Sequence, residues 1–251
     1  MRDWVVLFLG LIFFETGWVH AQTPRFYVGV DVESLHREIV QDEVSFSGQN
    51  FPGEDVTLSS TRLLARIGVR LADGFSLYGQ IGGSTLQMDD FGFHSDLSGA
   101  YGGGGRLDLY HDPTHQVRFF SDYRFLRLRG SDTVHFAPEA DLDGDGQIGP
   151  GEVLSDERLR ETLQWDEHVL RLGVEGRHGA FDPYGGIRLS FVRGRDHIPS
   201  QRQPLDIRFR QHRAFGFFLG TAYTLAQKAT LFVEGSLLDA YAVSVGLRTG
   251  F

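Results

Sequence analysis

From Phe26 onward the chain repeats its hydropathy every second residue, in segments of about ten residues broken by turn residues. Phe26, Val28, Val30 and Val32 alternate with Tyr27, Gly29, Asp31 and Glu33. Leu63, Ala65, Ile67, Val69 and Leu71 alternate with Arg62, Leu64, Arg66, Gly68 and Arg70, after which Ala72, Asp73 and Gly74 turn the chain back into Phe75, Leu77, Gly79 and Ile81. A period of two places successive side chains on opposite faces of a strand, so each segment has one apolar and one polar face. The same pattern predicts strands near 97–110, 116–129, 162–177, 183–194, 207–223, 229–238 and 241–251. The chain therefore reads as all-β, an antiparallel up-and-down barrel of about ten strands, with eight as the alternative.

The connections alternate in length. Short ones at 72–74, 111–115, 178–182 and 224–228 separate long ones at 39–56, 89–96, 130–161 and 195–206. A transmembrane barrel shows this asymmetry, with short turns on one side of the membrane and long loops on the other. The connection at Asp239 and Ala240 is short on the long-loop side.

Charge decides which face meets lipid, because an arginine near the bilayer midplane on the lipid face costs about 2 to 4 kcal/mol. Arg62, Arg66, Arg70, Arg106, Asp108, Arg118, Asp122, Arg124, Arg171, Glu175, Arg188, Glu234 and Arg248 all fall opposite the apolar set, which assigns them to the lumen. Tyr27, Asp31, Glu33, Tyr78 and Gln80 join them. A barrel of about ten strands is narrow beside porins of about 16 to 18, so a network of arginines and carboxylates is expected to plug it. A soluble lipocalin-like barrel would have the opposite arrangement, apolar inside and polar outside. Gly102 to Gly105 lies within a strand and is read as close packing against bulky neighbours or a bend in the wall.

The two ends of the chain favour the membrane. Arg2 precedes an apolar run from Trp4 to Phe14, and Val19, His20 and Ala21 place small residues at the −3 and −1 positions of a cleavage site, so 1–21 is read as a secretory signal peptide and 22–251 as the barrel. Removing Arg2, Asp3 and Glu15 with it changes the formal net charge from −9 to −8, which disfavours nucleic acid as a partner. There is no cysteine, so thiol chemistry is excluded. The last strand alternates through Tyr241, Val243, Val245, Leu247 and Thr249 to a terminal Phe251. It resembles the C-terminal signal of Gram-negative outer-membrane β-barrel proteins, the family of small porin-like and OmpA-like barrels. That resemblance implies an outer-membrane location, lipid and lipopolysaccharide as surroundings, recognition of the final strand by the barrel assembly machinery, and a monomer.

Within the longest connection, residues 141–152 fit the calcium-loop pattern D-x-[DN]-x-[DN]-G-x5-E at every specified position. Asp141, Asp143 and Asp145 would supply carboxylate oxygens to Ca²⁺, Gln147 its backbone carbonyl, Gly149 a water-mediated ligand and Glu152 a bidentate carboxylate, while Gly146 makes the sharp turn. Pro138 leaves almost no helix before the loop, and Val153 to Leu163 is read as a short exiting helix. No second loop exists to pair with Ile148, so the element is similar to a solitary, dockerin-like calcium loop rather than a paired sensor.

The expected function is structural or adhesive, a barrel carrying a calcium-binding extracellular loop that contacts a partner through 130–161, with no enzymatic activity. A small-solute pore is the first alternative. The second rests on a slight likeness to the omptin proteases, ten-stranded barrels with an Asp pair facing an Asp-His couple; here Asp89 and Asp90, and Asp166 with His168, stand near the rim.

Overall fold

Strand pairing closes the sheet on itself. The structure, a computed structural model, describes residues 25–46, 49–51, 55–88, 92–136, 157–199, 205–226 and 229–251. In chain order the strands are β1 (Arg25–Phe46), β2 (Gln49–Phe51), β3 (Asp55–Ala72), β4 (Phe75–Met88), β5 (Phe93–His94), β6 (Ser98–Asp112) and β7 (Val117–Phe136). They continue as β8 (Glu157–Gly176), β9 (Phe181–Ile198), β10 (Leu205–Gln211), β11 (Phe215–Ala226), β12 (Ala229–Leu237) and β13 (Tyr241–Gly250). Ten of these, β1, β3, β4, β6, β7, β8, β9, β11, β12 and β13, form an antiparallel ring closed by β13 against β1 from Tyr27 opposite Gly250 to His36 opposite Tyr241. The amide of Phe251 adds a bond to the carbonyl of Phe26 at 2.9 Å. Ten, not eight, is the strand number of the ring.

The expected strand over 207–223 is two strands, broken at His212 to Ala214. β10 lies outside the ring of ten and pairs with the upper part of β9 on one side and of β1 on the other. It thereby bridges the gap above β11, β12 and β13, which are only long enough to cross the apolar belt. This explains the short connection at Asp239: that hairpin ends beneath β10, and Leu238 takes a φ of 80° as the chain turns there. Gly74, with a φ of 83°, makes the turn between β3 and β4 where the sequence places it.

Other boundaries also move. β7 and β8 pair continuously from Val117 opposite Gly176 to Phe136 opposite Glu157, so both ends of the expected long loop at 130–161 are strand, and the expected helix over Val153 to Leu163 is strand from Glu157 to Leu163. A long antiparallel ladder satisfies every backbone group of that stretch at once, which one short amphipathic turn does not. The signal peptide at 1–21, Asp89 and Asp90, and the calcium loop at 141–152 lie outside the described residues.

Around the outside, Phe26, Val30, Leu63, Ile67, Ile81, Phe119, Leu172, Leu219 and Val243 are among the large apolar side chains left exposed. Their alternation partners point inward. Such a continuous belt, with Tyr101, Tyr123, Phe191 and Tyr241 toward one rim and Tyr110, Phe181 and Phe251 toward the other, is the surface that a hydrocarbon solvent requires.

Candidate functional site

The lumen has two storeys. At the height of the apolar belt it is filled by ion pairs. Glu33 on β1 accepts from Arg62 Nη1 at 2.6 Å and from Arg124 Nη1 at 3.0 Å. Glu167 on β8 accepts from Arg62 Nη2 at 2.9 Å and Arg124 Nη2 at 3.3 Å, with Arg37 at 3.6 Å and Arg188 at 3.8 Å. Asp239, swung inward by its tight turn, lies 3.0 Å from Arg188 Nε and 3.4 Å from Arg37, and it accepts from the Ser190 hydroxyl at 2.8 Å. Four arginines thus converge on three carboxylates, all buried or nearly so.

Further down, Asp31 pairs with Arg66 at 2.7 Å, Arg171 with Glu234 at 2.8 Å, and Arg106 and Arg118 converge on Glu175, the latter at 2.9 Å. Guanidinium planes also lie on aromatic faces: Arg66 is 4.4 Å from the Tyr78 ring centre, Arg106 is 3.9 Å from Phe120, Arg171 is 4.2 Å from Phe218 and Arg248 is 4.3 Å from Phe232. Arginine suits this interior because its planar fork pairs with two carboxylates and stacks on a ring at the same time. Glycines make room for the rings. Tyr27 faces Gly68 across the ladder and Tyr78 faces Gly104, and a Cβ at either glycine would overlap the ring opposite. The close-packing role read for Gly102 to Gly105 is what Gly104 performs.

Above the belt the solvent outside is water and the alternation inverts. Outward positions become polar, with Ser59 and Thr57 on β3 and Arg127 and Arg129 on β7, while Leu58, Leu126, Leu128, Leu163, Trp165 and Phe209 turn inward. They join Ile39, Leu86, Met88, Phe93 and Val192 in one buried apolar cluster. The upper barrel is built like a soluble one, apolar inside, and closes the lumen a second time.

At the top of this cluster two carboxylates, Glu161 on β8 and Asp196 on β9, are both buried. Burial first, then the hydrogen bond to Asp196 and the charges of Asp196 and Asp132, push Glu161 up to about 9. Burial raises Asp196 as well. The pair therefore holds one proton at neutral pH, with Glu161 donating to Asp196.

The predicted lumen list proves to be largely the lower storey. Arg37, Glu167 and Asp239 are absent from it, although continuing the alternation from Glu33 or Arg171 reaches the first two. Asp166 and His168 point outward, away from the lumen: Asp166 accepts from Arg127 at 2.5 and 2.6 Å, and His168 Nδ1 lies 2.7 Å from the Tyr123 hydroxyl. The residue that faces inward is Glu167 between them. No group of three or more metal-ligating side chains occurs among the described residues, and the calcium-loop residues Asp141, Asp143, Asp145, Gln147 and Glu152 are not among these.

A closed antiparallel ring with a lipid-compatible belt and a doubly filled lumen defines a membrane-type β-barrel with an occluded interior. No protein-family model matches the chain, and no curated protein does. Among solved structures, the outer membrane protease OmpT from Escherichia coli is similar in fold, at 11% identity and a TM-score of 0.54, with 94% of this chain and 99% of that chain covered. The translocator domain of the autotransporter NalP from Neisseria meningitidis aligns at 9% identity and a TM-score of 0.45, covering 99% and 95% respectively.

Proposed function

We propose that the protein is an integral outer-membrane barrel of a Gram-negative bacterium whose task is to present its extracellular loops on a closed, rigid scaffold. The observation that carries this reading is the filling of the lumen. Arg37, Arg62, Arg124 and Arg188 lock onto Glu33, Glu167 and Asp239, and the apolar cluster around Trp165 lies on top. A solute would have to displace both storeys. The apolar belt supports membrane residence, and the outer-membrane origin of OmpT agrees with that placement.

The segment between β7 and β8 that carries the calcium-loop motif is the element to be presented. Its donor set, three aspartates, the Gln147 carbonyl and Glu152, suits a hard divalent cation, so Asp141, Asp143, Asp145, Gln147 and Glu152 bind Ca²⁺, in the range of about 10⁻⁴ to 10⁻³ M at which extracellular modules work. Four carboxylates in twelve residues repel one another without the ion, and binding orders them. The role is adhesion or surface interaction through that loop, without catalysis. Protein refolded into planar bilayers tests the scaffold reading: a quiet bilayer is expected, and stable stepwise conductance would replace it with a small-solute pore.

A further inference from the structure

The ion pairs lower in the lumen are balanced: Arg66 with Asp31, Arg171 with Glu234, and Arg106 and Arg118 with Asp108 and Glu175. The network above them is not. Arg37, Arg62, Arg124 and Arg188 carry four positive charges, and Glu33, Glu167 and Asp239 carry three negative ones. A guanidinium does not deprotonate in a protein, so the surplus is not relieved by losing a proton. Glu161 and Asp196, further up, are no counterweight. Asp196 lies six residues beyond Ser190 on β9, whose hydroxyl meets Asp239, which is roughly 20 Å along the strand with Val192 and the apolar cluster in between.

The surplus falls on Arg37. Glu33 and Glu167 each take Arg62 and Arg124, and Asp239 Oδ2 lies 3.0 Å from Arg188. What is left to Arg37 is a 3.4 Å bond to that same Oδ2 and a 3.6 Å approach to Glu167, both through Nη2. Its Nε and Nη1 have no hydrogen-bond partner, although the whole side chain is shielded from solvent. Arg188 Nη2, 3.8 Å from Glu167, has none either. Buried N–H groups are almost always paired, and an unpaired charged one costs more than a neutral one. The unpartnered acceptor of the network, Asp239 Oδ1, lies against Gly216 on β11, while Oδ2 is the oxygen that meets the arginines.

Donors without acceptors and a surplus positive charge in a closed interior together specify the chemistry of a ligand. Water would accept from the N–H groups and leave the charge; one negative charge answers both. The apolar cluster above and the ion pairs below enclose the site, so the ligand is small. A monatomic anion accepts from N–H groups in any direction and needs no orientation of its own.

We infer that the lumen binds one small monovalent anion, of the halide class, against the Arg37 guanidinium beside Arg188, as the fourth negative charge of the network. The inference rests on the closed-lumen reading above and adds to it a ligand and a site. The anion is taken up as the barrel closes, and the rigidity of the scaffold therefore depends on which anion is present during folding.

The test refolds the full barrel in sodium chloride, sodium bromide or sodium gluconate at one ionic strength, which holds screening constant. The urea midpoint is expected to be higher in either halide than in gluconate, and to rise with the logarithm of halide concentration above the dissociation constant. Crystals of the bromide-refolded protein should show an anomalous bromine peak within hydrogen-bond distance of Arg37. Arg37→Met removes the surplus charge and its donors and should abolish the halide dependence, whereas Arg37→Lys keeps the charge and should shift that dependence to higher concentration. Equal wild-type midpoints in chloride and gluconate, bromine peaks at the surface only, or a halide dependence undiminished in the folded methionine variant would each overturn the inference. The wild-type measurements decide even where no variant refolds. The bilayer recording tests the closed lumen separately: a quiet bilayer together with equal midpoints keeps the scaffold and removes the anion.

Discussion

Arg62 Nη2 donates to Glu167 Oε2 at 2.9 Å across the lumen, joining β3 to β8 although the two residues are 105 positions apart. Around that bond Glu167 is the carboxylate that Arg37, Arg124 and Arg188 also approach. Neutralising it leaves four guanidinium groups with only Glu33 and Asp239 for company in a closed interior. Removing one partner of a buried ionic network costs about 3 to 5 kcal/mol, because the charges left behind lose their compensation. Glu167→Gln should therefore lower the urea midpoint of the refolded barrel by much more than Glu175→Gln, whose site near the lower opening is partly solvated. Urea titration in detergent micelles makes that comparison.

The ring of Tyr27 lies over Gly68 on the neighbouring strand, and a Cβ at Gly68 would meet its Cζ, Cε1 and hydroxyl. Overpacking at such a contact costs about 1 to 3 kcal/mol. Gly68→Ala should destabilise the barrel by that amount in the wild-type background and by clearly less when Tyr27 is first changed to Ala. A double-mutant cycle read from urea midpoints gives the coupling, and additive effects would show that the ring is not what the glycine accommodates.

The belt-height part of this architecture is legible in the sequence because lipid enforces it. A lipid-facing strand position must be apolar, so Ile67 or Leu247 declares its face, and the neighbours Arg66 and Arg248 must then be inside. The upper storey follows the same period with the opposite sense. Leu128 and Trp165 are apolar and inward because water, not hydrocarbon, lies outside them, and a rule that sends apolar residues to lipid misplaces them. The polarity of Arg127, Arg129, Gln164 and Asp166 is the sequence sign of that change of solvent. Glu167 lies between Asp166 and His168, and the Asp-x-His spacing belongs to the outward face while Glu167 alone is buried. The division of 207–223 was hidden because β10 and β11 share one alternation through His212, Arg213 and Ala214, and only the pairing of β10 with β1 and β9 separates them.

For the calcium loop the expected outcome concerns order as much as binding. Asp141 and Glu152 are the first and last positions of the proposed calcium loop, so Asp141→Ala with Glu152→Ala would remove both ends of its coordination shell. Sensitised terbium luminescence is expected in the wild type and should vanish in the variant, and calcium should slow proteolysis between β7 and β8 in the wild type alone. The barrel itself should be unaffected, since its ring is complete without these residues. Equal protease resistance with calcium and with chelator would reject the loop as an ion-ordered element.

The buried pair of Glu161 and Asp196 makes the upper storey sensitive to pH, with a sign fixed by linkage. Glu161 is held at about 9 in the folded barrel against an ordinary value of 4.5. Between those two values the folded state keeps a proton that the unfolded chain has released, so stability declines as pH rises through that window and is greatest below it. The loss is at most about 1.4 kcal/mol per pH unit for one proton, and the relaxation of a mutually repelling pair reduces it. Glu161→Gln supplies a permanent donor to Asp196 with nearly the same shape. It should flatten the profile from pH 5 to 9, leaving the variant more stable than the wild type at pH 9 and nearly equal to it at pH 5. Urea midpoints across that range read the slope directly, and a wild-type midpoint that rises with pH would show that the pair is ionised and separated rather than sharing a proton.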